Sequence, residues 1–382
     1  MKNKSGFNSK CVHAGTAMQD VTHAANTPIV ASTAFKYLDL PMQYPRMFNL
    51  INQMAVANKL AALEKAETGI IFSSGMGVIS AVLMAFLKPG DELLIQSNIY
   101  GGTYMFIHSQ LEKIGVNLKT FPTTIDVNLE EYITEKTKMV YIETPANPLL
   151  DIVDIESITT VCKKHNLLSV IDNTFASPYC QTPIELGVDL VMHSGTKYLA
   201  GHSDVMFGAV VGSKDWIEQL RPTAIAFGSV LDAKAASEAE KSMKTLGLRM
   251  KKHTENAMEI ALVLSKHPKI TKVLYPGLKN HKGHEVAKKQ MKAFGAIVTF
   301  ELHESIDAVA FQKKLNFIMP SVSLGGVESL ITSPFLTSHK FVASEDRQKM
   351  GISNQMLRLS VGIEEVEDIM VDINQAINAV GK

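Results

Sequence analysis

Cysteine is scarce in this chain: Cys11, Cys162 and Cys180 are the only three in 382 residues. Their wide spacing gives neither a metal-ligand pairing nor a disulfide framework, which fits a reducing compartment. An excess of charge is absent too, because 38 Lys and Arg balance 38 Asp and Glu. That balance leaves no electrostatic footprint for nucleic acid or for an anionic membrane surface. No stretch approaches the ~18 consecutive apolar residues of a spanning helix, and the first residues lack the apolar core of a signal peptide. Internal repeats and low-complexity segments are missing. These absences make a cytoplasmic location the expectation.

What is present is the composition of an ordinary globular protein, 46% hydrophobic and 20% charged. The length exceeds what one compact core usually holds, so two packed lobes are expected. Residues 1–48 are rich in turn formers and read as an irregular arm, extended over Asn26–Phe35, of a kind that packs on a neighbouring subunit. Helical periodicity starts near Ala55 and runs to Lys65, with Gly69 as the stop. From Gly69–Phe72 onward, short apolar runs alternate with helical patterns. Strands are expected at Glu92–Gln96, Met139–Glu143, Leu168–Asp172, Asp189–Ser194 and Phe207–Gly212. This alternation predicts an α/β domain with a mostly parallel, buried sheet. One long helix over Ala235–His267 then breaks the rhythm. Beyond it, strands near Ile270–Leu274, Ala296–Leu302, Ser321–Leu324 and Met356–Val361, with a closing helix over Val366–Val380, predict a smaller α+β domain. The expected division is an arm over 1–48, an α/β domain over 49–240 and an α+β domain over 241–382.

Open α/β sheets bind ligands at the carboxyl ends of their strands. Two such ends carry chemistry here. One delivers Asp172-Asn173-Thr174, and the other delivers Ser194-Gly195-Thr196-Lys197, with Lys197 25 residues after Asp172. A lysine whose amine is acidified by burial forms imines, and a carboxylate can hold a proton on a pyridine nitrogen so that the ring becomes an electron sink. Ser73-Ser74-Gly75-Met76-Gly77 stands between a strand and a helix, where backbone N–H groups and the helix dipole suit a phosphate. Each feature has a plainer reading: a solvated lysine, an Asx turn, an ordinary helix start. Their order along the chain favours one cofactor site.

The stretch Ile171–Phe175, followed by Ser194-Gly195-Thr196-Lys197-Tyr198-Leu199-Ala200-Gly201-His202-Ser203-Asp204, resembles the pyridoxal 5′-phosphate (PLP) signature of the Cys/Met-metabolism, or trans-sulfuration, family of fold-type I enzymes. Phe72–Met76, Tyr100–Thr103, Glu143–Pro148, Ser323–Leu330 and Arg358–Glu364 resemble its other motifs, so the likeness spans nearly the whole chain. The resemblance implies that Lys197 carries the cofactor as an imine and shuttles protons. It implies that Asp172 holds the pyridinium proton, and that Gly75, Met76, Ser194 and Thr196 bind the phosphate. Tyr100 would stack on the ring and join in proton transfer, although from its sequence position a core aromatic reads equally well. Arg358 would bind the substrate carboxylate, helped by Ser323 and Asn147. Tyr44 and Arg46 resemble a pair given to the neighbouring subunit's phosphate, which implies at least a dimer with shared sites; the family usually forms tetramers, so a homotetramer built from dimers is expected. Glu143 reads as a structural carboxylate near the cofactor.

The sequence departs from the family at Pro45, Leu50, Ile51, Lys241–Leu246 and Thr337-Ser338-His339, positions that bear on the substrate mouth and subunit contacts. Val322 stands where the resembling cystathionine γ-synthases and γ-lyases often carry Glu, which looks more like the methionine γ-lyase or β-lyase pattern. Gly102 stands where methionine γ-lyases commonly carry Cys. The two point in opposite directions. The implied activity is a carbon–sulfur lyase acting on cystathionine, methionine or a related thioether. The rival is a γ-replacement enzyme that joins a thiol to an activated homoserine ester, with a fold-related aminotransferase and a non-catalytic PLP holder further behind.

Overall fold

The computed structural model describes residues 5–16, 23–337 and 351–380. Seven strands form the larger sheet: β1 (Thr68–Phe72), β2 (Glu92–Gln96), β3 (Asn117–Phe121), β4 (Thr137–Glu143), β5 (Leu168–Asp172), β6 (Leu190–Ser194) and β7 (Gly208–Gly212). Their spatial order is β1-β7-β6-β5-β4-β2-β3. Only β7 runs against its neighbours β1 and β6; the remaining pairings are parallel. Every residue of β2, β5 and β7 is buried, as expected of strands covered on both faces. The carboxyl ends of β1, β2, β4, β5 and β6 therefore open on one edge of the sheet. That edge carries Ser73 and Ser74, Tyr100, Glu143, Asp172 and Ser194.

Five strands form the smaller sheet: β8 (Ile270–Leu274), β9 (Ile297–Leu302), β10 (Met319–Pro320), β11 (Leu330–Thr332) and β12 (Met356–Ser360), in the order β10-β11-β12-β9-β8. Arg358 lies in the middle of β12, between Thr332 of β11 and Thr299 of β9. One hydrophobic core joins Val298, Phe300 and Leu357 of this sheet to Ile171, Val191 and Phe207 of the larger one. Among the described residues, no helix is long and apolar enough to cross a membrane.

Several sequence expectations need correction. The arm contains a helix, Phe7–His13. The next helix spans Ile51–Glu64 rather than starting near Ala55, because Gln53 reaches back to accept the Leu50 N–H at 3.0 Å. It ends on Lys65 in the left-handed conformation, while Gly69 lies inside β1. The edge strand β3 is an unforeseen element; it is mostly solvent-facing and has no apolar run to betray it. Ser321–Leu324 is not a strand, since Ser323 takes φ +89° and ends any extended run.

The long helix is two, Ala233–Met243 and Leu246–Leu264. At the break the Ser242 carbonyl accepts from the Thr245 N–H at 3.3 Å and from its hydroxyl at 3.1 Å, and the buried Arg249 joins them. Arg249 donates to Ser242 O at 3.0 Å, Tyr198 O at 2.8 Å and Leu199 O at 3.3 Å. It thus ties both helices to the turn that follows Lys197. Arg249→Ala leaves the buried Tyr198 and Leu199 carbonyls short of a donor, each deficit costing about 1–3 kcal/mol. The expected result is a clear fall in the denaturation midpoint, partly recovered in Arg249→Lys; an unchanged midpoint would show that this tie does not hold the helices.

Candidate active site

Glu143 and Asp172 end adjacent parallel strands and are direct register partners. Both are buried. Backbone N–H groups just beyond the strand ends hold the two carboxylates. Asp172 Oδ1 accepts from the Thr174 N–H at 3.0 Å and from the Thr174 hydroxyl. The same hydroxyl accepts from the Ser194 N–H at 2.8 Å, which pins the end of β6 to the end of β5. Glu143 Oε2 accepts from the Tyr100 N–H at 2.8 Å and Oε1 from the Asn147 N–H at 2.9 Å. Burial, and next the Asp172 charge, push the Glu143 carboxyl well above its ordinary range. Burial pushes Asp172 upward too, opposed by the Thr174 hydrogen bonds and the positive influence of His193.

Two cations face these carboxylates. Lys197 Nζ donates to Ser323 Oγ at 2.6 Å. Burial, and then the neighbouring Arg358, pull its amine down to about 8. Arg358 is 6% exposed and donates to Asn147 Oδ1 at 2.8 Å and to the Ser323 carbonyl at 2.9 Å. Its Nε is buried without a partner among the described residues. The Phe175 ring centroid lies 5.9 Å from the guanidinium carbon. The positive φ of Ser323 is what lets one residue offer its hydroxyl to Lys197 and its carbonyl to Arg358; a strained conformation of this kind is characteristic of functional sites.

All these groups line one cavity of about 610 Å³ with Ser74, Gly75, Met76, Tyr100, Ser194 and Thr196. The helix Gly75–Phe86 starts at its wall, capped by Ser74 Oγ accepting from the Gly77 N–H at 3.0 Å. Its unpaired first-turn amides suit an anion. A Cβ at Gly75 would fall 3.0 Å from the Ser194 side chain, so the serine would have to give way. Burial, and then Asp172, raise the Tyr100 hydroxyl above its ordinary range. The outer wall is apolar: Met206, Val322, Leu324 and Leu336.

The cavity therefore brings together ten of the twelve residues singled out from the sequence. Tyr44 and Arg46 do not join them: Arg46 donates to Ile225 O at 3.3 Å and lies beside the Tyr44 ring. The Thr196 hydroxyl is engaged with the backbone of Phe207, donating to its carbonyl and accepting from its N–H, both at 3.1 Å. Of the departures near the mouth, Thr337 lines the cavity, while Ser338 and His339 lie outside the described residues. Sequence reasoning missed Phe175, His193 and Met206. The first two adjoin motif residues, which was the available signal; Met206 had none.

Comparison with known proteins supplies the relationship. A family model described as "Cys/Met metabolism PLP-dependent enzyme" matches residues 8–378. The cystathionine beta-lyase of Lactococcus lactis subsp. cremoris is 39% identical over 378 residues, covering 98% of this chain and 99% of the relative. The L-methionine gamma-lyase of Fusobacterium nucleatum subsp. nucleatum is 40% identical over 396 residues, covering 99% of each. A crystal structure of cystathionine gamma synthase from Xanthomonas oryzae pv. oryzae, in complex with aminoacrylate and cysteine, superposes with a TM-score of 0.93 at 38% identity, covering 98% of each chain.

The depressed Lys197 amine yields a pH prediction. Below about 8 it is protonated and inert; as pH rises through about 8 it becomes a free nucleophile. In PLP-free protein, isotope-labelled reductive methylation followed by NMR titration should give Lys197 a midpoint near that value. A midpoint at the ordinary lysine value would contradict the burial argument.

Proposed function

This chain belongs to the Cys/Met metabolism PLP-dependent enzyme family, and on that premise we propose that it is a carbon–sulfur lyase of sulfur amino acid metabolism. It eliminates a thiol from cystathionine, methionine or a related thioether and leaves a 2-oxo acid and ammonia. The observation that carries this reading is the meeting of an acidified Lys197 amine, a buried Asp172 carboxylate and a half-paired Arg358 guanidinium in one cavity with an apolar outer wall.

Pyridoxal 5′-phosphate fits the residues present. Lys197 supplies the amine that would hold it, Asp172 the carboxylate for its ring nitrogen, and Tyr100 an aromatic face. Gly75, Met76 and Ser194 would hold its phosphate, the glycine leaving room that a Cβ would fill. When bound, the cofactor supplies an electron sink for a carbanion at the substrate α-carbon.

The chain's own groups do the rest. Arg358 binds the substrate carboxylate, with Asn147 and the Ser323 carbonyl fixing the guanidinium plane. Lys197 Nζ takes the α-proton, which is within its capacity because a neutral amine near pH 8 is a competent base. The Tyr100 hydroxyl, kept protonated by burial and by two nearby carboxylates, donates to the departing sulfur. One water is consumed overall as the thiol, the 2-oxo acid and ammonia form. Glu143 sets the Tyr100 and Asn147 backbones at the cavity wall.

The rival reading is a γ-replacement enzyme, favoured by the likeness to the Xanthomonas synthase. The reading also takes the protein to be a cytoplasmic homotetramer built from dimers, with Tyr44 and Arg46 given to the neighbouring subunit's phosphate. Their position outside their own cavity supports that exchange.

Incubation with cystathionine, and separately with methionine, should release a 2-oxo acid without any added thiol. Pyruvate from cystathionine marks β-elimination and 2-oxobutanoate marks γ-elimination. If no 2-oxo acid forms from either, while a homoserine ester and a thiol combine, the rival reading replaces this one. Arg358→Ala should raise KM about tenfold to a hundredfold, the worth of a lost charge-assisted hydrogen bond; an unchanged KM would strike Arg358 from the site. Mixing inactive Arg46→Ala with inactive Lys197→Ala protomers should restore some activity in verified hybrids, and no recovery would count against shared sites.

A further inference from the structure

One face of the helix Leu246–Leu264 carries three donors that the chemistry above does not use. Arg249, His253 and Asn256 stand four and three positions apart, so their side chains share a face, and all three are buried. Arg249 holds the turn after Lys197 through the Tyr198 and Leu199 carbonyls. The other two hold the chain that leaves β12. Asn256 Nδ2 donates to Gly362 O at 3.2 Å and to Glu364 O at 2.7 Å. His253 Nδ1 lies 2.7 Å from the carbonyl oxygen of Val361, the residue after β12 ends.

A carbonyl only accepts, so the proton of a neutral His253 sits on Nδ1. Burial pulls this histidine down to about 4, which keeps the ring neutral near neutral pH. Its Nε2 is buried with no partner among the described residues. The ring also meets that of Tyr198, the residue after Lys197, edge-on with centroids 5.6 Å apart. His253 thus touches both sides at once, the exit of Arg358's strand through Nδ1 and the neighbour of Lys197 through its ring. Arg358 itself is held in register between β11 and β9, so it moves only with its sheet. What the helix donors fix is the place of that sheet against the Lys197 turn.

Resting on the reading that Arg358 takes the substrate carboxylate and Lys197 the α-proton, we propose that His253 is a positioning residue for that reaction, supported by Asn256. It sets the separation between the carboxylate anchor and the base. It does so from behind the cavity, whose lining it does not join. That separation matters because a misplacement of about 1 Å costs about a hundredfold in rate.

Exchange of the α-proton of L-alanine for solvent deuterium reads this geometry. Alanine has the amine and the carboxylate but no leaving group, so the readout is independent of thiol release. His253→Gln places its amide where Nε2 stands and leaves Val361 O without a donor; His253→Asn places one where Nδ1 stands. In holoenzyme, His253→Gln should lower the second-order rate constant of exchange about tenfold to a hundredfold. His253→Asn should recover most of it, although Gln is the closer match in size. Adding His253→Gln to Arg358→Ala should cost no more than Arg358→Ala alone, since His253 acts through that residue. In PLP-free protein the Lys197 midpoint should rise in His253→Gln, because a displaced guanidinium acidifies the amine less. Losses that add in the double variant, Gln serving as well as Asn, or an unmoved Lys197 midpoint would each overturn the proposal. If His253→Gln does not fold, the same cycle with Asn256→Ala decides, with the same expectation. No exchange in wild type, or exchange indifferent to Arg358→Ala, would remove the underlying reading and this proposal with it. Exchange that falls in Arg358→Ala and falls further in the double variant removes this proposal alone.

Discussion

Glu143 and Asp172 face each other across two adjacent parallel strands, both out of water. Two like charges in that position repel, and burial makes each costlier. Much of the surrounding architecture answers this one constraint. Backbone N–H groups of Tyr100 and Asn147 serve Glu143, and Thr174 serves Asp172. Across the cavity stand Lys197 and Arg358, brought by the turn after β6 and by the middle of β12. The cations are strained by the same burial, which acidifies Lys197, the condition a lysine must meet to act as nucleophile or base near neutral pH. Apart from Glu143, the charges that are expensive to bury are thus the ones the proposed chemistry uses.

That balance explains why the two sheets are needed together. The larger sheet supplies the carboxylates and the amine at its strand ends, while Arg358 and Ser323 come from the smaller sheet's side of the cavity. Arg249 links the two long helices to the turn just past Lys197. Displacing one sheet against the other would separate the Ser323 hydroxyl from Lys197 and the Arg358 guanidinium from Asn147. Substrate carboxylate binding and positioning of the Lys197 amine would fail as a unit.

The strands that end in the site were readable from the sequence because buried parallel strands are short, apolar and closed by polar turns. Strands β4, β5 and β6 were located nearly to the residue for that reason. β3 was not, since an exposed edge strand such as Asn117–Phe121 carries no such contrast. The split of the long helix at Lys244–Thr245 was hidden because helical residues flank it on both sides. Within the site, local motifs announced Asp172 and Lys197, whereas the shape of Ser323 depends on a positive φ that serine does not advertise. His253 was invisible for a different reason: it contacts Val361 from 108 positions away, and only the fold makes them neighbours.

The claim on which the rest depends is that Lys197 holds the cofactor. Borohydride reduction of the purified holoenzyme, followed by proteolysis and mass spectrometry, tests it most directly. The expected result is a single pyridoxyl-phosphate adduct on the peptide containing Lys197. An adduct on another lysine, or none on a protein that has bound the cofactor, would contradict it.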